Sequence, residues 1–163
     1  MALPVTVANT FIDRYGADGN IDHLKLQKLV YNSYGWWLAL MEGHQPLTSS
    51  RPQVWRYGPV FHQIYGVFAG SKNENITAMR PPTPFGGTMT LDGGSEESQI
   101  VDWIWGRYGN FSGTELSDMT HKPGTPWYEI AKKHDFVVPR FLEMDDEINR
   151  AYFSELARRE GLI

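Results

Sequence analysis

Residues 22–43, DHLKLQKLVYNSYGWWLALMEG, restrict what this chain can fold into more than any other stretch. Leu26, Leu29, Val30, Ser33, Trp37, Leu40 and Met41 recur at the three- and four-residue spacing of one α-helical face, about six turns long. Leu24, Tyr31 and Leu38 make a second stripe, with Tyr34 and Trp36 close by, so the helix is apolar around most of its circumference. Such a helix has to be surrounded by others. Asp22 is placed to cap its first N–H groups, and Gly43 to take a left-handed position after its end. What remains polar, Lys25, Lys28, Asn32 and Gly35, returns to one narrow strip.

The rest of the chain supplies partners for that helix. Val5, Ala8, Ile12 and Tyr15 predict a short amphipathic helix, ended by Gly16. QVWRY at 53–57 alternates like a short strand, and Pro59, at a favoured first helical position, predicts a helix that buries Val60, Ile64, Val67 and Phe68. Residues 71–94 hold three prolines and two Gly-Gly pairs, which predicts a long irregular excursion; TMTLD within it is a candidate strand to pair with 53–57. Ser95 caps a nearly all-apolar helix ending at Gly109. Ser112 and Glu115 form a capping box for a short helix, and Pro126 starts another that carries Trp127, Ile130 and Ala131 inward. DFVVPRF is extended up to Pro139. Asp145 or Asp146 caps a last helix with Ile148, Tyr152 and Leu156 on its buried side and Phe153 beside them. The expected fold is mainly α, a compact single domain over residues 1–163 around a buried central helix, with a small two-stranded or extended element.

Chemistry is excluded more readily than assigned. With no cysteine there is no disulfide, thiolate nucleophile or usual structural zinc site. A net charge of -4 opposes broad phosphate-backbone binding, so nucleic acid is not an expected direct partner. No segment reaches the ~18 apolar residues of a membrane span, and no secretory leader opens the chain, which reads as cytoplasmic. No Gly-x-Ser-x-Gly elbow, paired-histidine metal motif or phosphate loop occurs, so no metal, cofactor or catalytic residue is expected. Glu115, Asp118 and His121 lie three apart on one short helix, a pattern more often a solvated face than a ligand set. The Lys25, Lys28 and Asn32 strip fits either an anionic partner or the wet edge of a buried helix.

Three segments, KLQKLVYNSYGWWLAL (25–40), VWRYGPVFHQIYGVF (54–68) and ELSDMTHKPGTPW (115–127), resemble in order and spacing the Panacea domain, the SocA-like family of bacterial and prophage proteins. The matching positions are Lys28, Trp55, Tyr57, Gly58, Pro59, Tyr65, Leu116, Thr120, His121, Pro126 and Trp127. The resemblance implies a helical, non-enzymatic antitoxin that binds a cognate protein toxin encoded by an adjacent gene, with some members presenting the toxin to a protease. Lys25, Lys28, Asn32 and His121 are then candidate partner-binding residues, and Trp55, Tyr57, Gly58, Pro59, Tyr65 and Trp127 are structural, with Tyr57 and Trp127 as core anchors. Two other readings compete: a small hydrolase or ligand-binding enzyme with a site near Lys28 and His121, and a phage accessory or structural protein.

Overall fold

In the computed structural model, which describes residues 1–163, the central helix α2 runs from His23 to Leu40. Asp22 caps it, its carboxylate accepting from the Lys25 N–H at 2.8 Å. Around it pack α1 (Pro4–Tyr15), α3 (His62–Phe68), α4 (Glu96–Tyr108), α5 (Gly113–Thr120) and α7 (Asp146–Arg159), together with strand β2 (Gly58–Val60). Strand β1 (Gln53–Trp55) pairs antiparallel with β2, and α6 (Pro126–Lys133) packs on β1, α5 and α7. The apolar face read from the sequence is buried from Leu26 to Trp37, with Leu40 and Met41 half-buried at its end. Deleting an anchor such as Leu29, which has no exposed surface, costs about 2 to 5 kcal/mol.

The end caps form as the residue types dictate. Ser95 accepts from Ser98 N–H, Ser112 and Glu115 complete their reciprocal box, Thr125 accepts from Tyr128 N–H, and Asp145 rather than Asp146 caps α7. Gly43 does adopt positive φ, although α2 has already ended at Met41.

Several expectations are corrected. Pro59 does not begin a helix: it lies in β2, and α3 starts only at His62. A fixed φ near −65° suits a short edge strand as well as a first helical turn. The partner of 53–55 is therefore this adjacent hairpin strand, and TMTLD stays unpaired. Helix α7 is turned by about one residue from the expected face: Asn149, Phe153, Ser154 and Ala157 are buried, while Ile148, Tyr152 and Leu156 are half-buried. The cause is Gly35, assigned above to a polar strip, which is buried against the Phe153 ring; a Cβ there would overlap that ring. Beyond Lys133 the chain turns instead of extending, with Asp135 and Phe136 both at positive φ.

The 71–94 excursion is laced over α1, so that the polar side of this amphipathic helix is buried along with its apolar side from Pro4 to Ile12. Thr6 donates to Thr88 O, Asn9 pairs with both the N–H and the carbonyl of Arg80, and Thr10 accepts from Leu91 N–H. Polar side chains one helical turn apart thus satisfy a segment that has no ladder of its own.

Candidate functional site

The polar strip of α2 faces inward. Lys25 is buried, and its ammonium donates to Gly19 O at 2.9 Å and Gly109 O at 2.7 Å, tying the α1–α2 turn to the end of α4. Asn32 donates to Lys28 O at 2.8 Å and helps line a small cavity of about 190 Å³ between α2, α5 and α7. Lys28 has no exposed surface and no carboxylate partner; its Nζ donates to Pro59 O at 2.9 Å. Burial pushes its ammonium down to about 7. Neither lysine forms a wet edge, since both side chains are buried within the fold.

The Lys28 bond is one of five to backbone carbonyls that seize the β1–β2 hairpin, four within it and one at Phe61 just after it. Trp127 Nε1 donates to Trp55 O at 2.7 Å, His121 Nε2 reaches Arg56 O at 2.9 Å, and Ser117 Oγ donates to Tyr57 O at 2.8 Å. Gln27 donates to Phe61 O at 3.2 Å and accepts from Phe61 N–H at 2.9 Å. The same Gln27 amide also meets His23 Nε2 at 3.1 Å, and burial holds the His23 imidazole below its usual range. The His121 ring packs on Trp127 with centroids 4.1 Å apart, and its Nδ1 lies 2.7 Å from Ser117 O. Gly58 makes the close approach possible: at φ 106° its Cβ would sit 2.5 Å from Thr120 Oγ1 and 3.0 Å from Lys28 Cε. Groups on α2, α5 and α6 that are far apart in sequence thus hold one three-dimensional feature.

What the clamp presents is its tip. Arg56 is exposed, and Tyr57 is 62% exposed with the Arg56 guanidinium 5.6 Å from its ring centre. Tyr57 is therefore not a core anchor: its carbonyl is held and its ring projects to solvent. Tyr65 is also exposed, its ring tilted against the half-buried Trp55 with centroids 4.8 Å apart, whereas Trp127 is buried as expected. Beside the tip lies an open groove of about 740 Å³. One wall carries Trp55, Arg56, His62 and Tyr65; the other carries Phe136, Val138, Arg140 and Phe141. The sequence alone predicts only extended chain up to Pro139 here, not a groove wall. Its signal is four apolar residues, Phe136, Val137, Val138 and Phe141, around one proline and flanking charges, with no periodicity that would bury them.

The model for the family described as "Antitoxin SocA-like, Panacea domain" matches residues 26–128, which is more than half of the chain. The chain belongs to this family. All five clamping side chains, from Gln27 to Trp127, fall inside the matched span of this Panacea protein, and the 136–141 wall of the groove lies beyond it. Antitoxin SocA of Caulobacter vibrioides (strain NA1000 / CB15N) is 27% identical over 130 residues, covering 77% of this chain and 68% of that relative. No solved structure matches the chain. No helix of this family member is long and apolar enough to cross a membrane.

Proposed function

We propose that this chain is the antitoxin of a toxin–antitoxin pair, a single cytoplasmic domain over residues 1–163 that holds a toxin encoded by a neighbouring gene in an inactive complex by direct contact. Family membership supplies the class of function. The observation that carries the contact surface is the five-carbonyl clamp, which fixes the Arg56–Tyr57 tip while leaving both side chains free. Rigidity of that kind lowers the ordering cost of binding, and Tyr and Arg are the side chains most often found at the energetic centre of an interface. In this reading Lys25, Lys28, Asn32 and His121 serve partner binding indirectly, by positioning the tip and the helices beneath it.

An enzyme centred on Lys28 and His121 is disfavoured, because each is spent on a hairpin carbonyl and neither lines the groove beside the tip or the cavity between α2, α5 and α7. The test is expression of each neighbouring gene alone and together with this one. A neighbour that arrests growth only without this chain, and copurifies with it, supports the reading; no toxic neighbour and no complex would sink it. Delivery to a protease is separable from neutralisation by repeating the growth assay in a protease-deficient host. Neutralisation that persists there belongs to binding alone.

A further inference from the structure

We infer that the groove between the hairpin and the 136–141 loop receives an acidic segment of the partner protein, its carboxylates going to Arg56 and Arg140 and one aromatic or aliphatic side chain going in among Trp55, Tyr65 and Phe141. The partner's being a toxin rests on the antitoxin reading; the chemistry of the segment rests on the groove.

Charge is the first argument. The chain carries a net charge of -4, yet the groove is lined by Arg56, Arg140 and His62 with no Asp or Glu; Asp135 and Glu143 are neighbours in sequence that do not line it. None of the chain's ion pairs uses Arg56 or Arg140. A guanidinium left unpaired beside aromatic faces is suited to forked recognition of a carboxylate.

The backbone gives the second. Val138, Arg140 and Phe141 line the groove, and their N–H groups find no acceptor in the chain, so the wall carries unpaired backbone donors. Phe136 and Phe141 hold φ of 60° and 63°, a conformation unfavourable for bulky residues, and both remain about half exposed at 52% and 50%. Strain kept at two exposed aromatics in one wall is a signature of a binding surface, since neither ring gains full burial in return.

The third concerns how the segment enters. Strand addition is closed on both sides: Val54 N–H donates to Leu142 O, Met144 N–H donates to Pro52 O, and β2 has no N–H at Pro59 and a carbonyl there already taken by Lys28. The occupant therefore engages through side chains and to the free N–H groups, not as a third strand.

The experiment is a fluorescence-anisotropy titration of the full chain with the fluorescein-labelled peptide Glu-Asp-Phe-Asp-Leu-Glu and with its counterpart Lys-Lys-Phe-Lys-Leu-Lys. The acidic peptide is expected to bind about tenfold or more tightly than the basic one, and an Arg56→Glu, Arg140→Glu double variant to lose about tenfold with its melting temperature unchanged. Phe141→Gly is the second variant. It relieves an unfavourable φ, so it should melt no lower than wild type while binding the acidic peptide more weakly. Equal binding of the two peptides, or equal binding by wild type and the double variant, overturns the inference. The same variants tested on growth separate the two claims: a double variant that neutralises the neighbouring toxin as well as wild type overturns the groove and leaves the antitoxin reading intact. Charge-dependent peptide binding with no toxic neighbour does the reverse.

Discussion

Two pairs of cations do opposite work in this molecule. Lys25 and Lys28 lie on the central helix, are buried, and spend their ammonium groups on backbone carbonyls of Gly19, Gly109 and Pro59. Arg56 and Arg140 lie on a turn and a loop, are exposed, and pair with no carboxylate. The lysines hold the scaffold and the arginines are left for something outside it. A long flexible stem lets lysine bury its carbons and still deliver one donor to a chosen carbonyl, whereas the planar guanidinium keeps its fork for an external acid.

That contrast breaks first on the scaffold side. Trp127→Ala removes a buried ring and the donor to Trp55 O together, and should lower stability by about 3 to 5 kcal/mol in denaturant melts. Lys28 gives a pH signature. Its native value of about 7 lies below the 10.5 of the free side chain, so between the two the unfolded chain binds more protons and stability rises with pH. Wild type should gain about 3 to 4 kcal/mol on Lys28→Met between about pH 7 and pH 10, a slope read by melting both proteins across that range. A flat difference would mean that Lys28 is not desolvated as described. Gly58→Ala combines the φ of 106° with overlap at Thr120, and should cost about 2 to 3 kcal/mol.

On the other side the expected stability effects are small. Tyr57→Ala and Arg56→Ala should each shift stability by no more than about 0.5 kcal/mol, because both side chains project into solvent, while weakening toxin binding and neutralisation. Loss of fold in Tyr57→Ala would return that ring to the core role that the sequence suggested.

The helices and most of their caps were legible because their causes are local: Asp22, Ser95 and Ser112 each act within three residues, whereas the Thr125 cap of α6 stood unread beside Pro126. The two-stranded element was legible as an element, and its pairing was not, since Pro59 suits either a strand or a helix start and the choice is made by Lys28, Ser117 and Gln27 arriving from other helices. Helix α7 went wrong by one residue for a similar reason: a hole at Gly35 draws Phe153 inward, and nothing within α7 records that hole. The motif positions Lys28, Gly58, His121 and Trp127 were found individually. Their common object, one hairpin, exists only in three dimensions. The arginines escaped notice because an exposed, unpaired charge has no periodicity to announce it.

The most direct measurement is hydrogen exchange on this chain alone and in complex with the toxin from its neighbouring gene. Protection gained at 55–57 and 136–141, with little change over α1 and the 71–94 excursion, is the predicted footprint. Protection confined to α1 and 71–94, with 55–57 and 136–141 exchanging as in the free protein, would contradict the account.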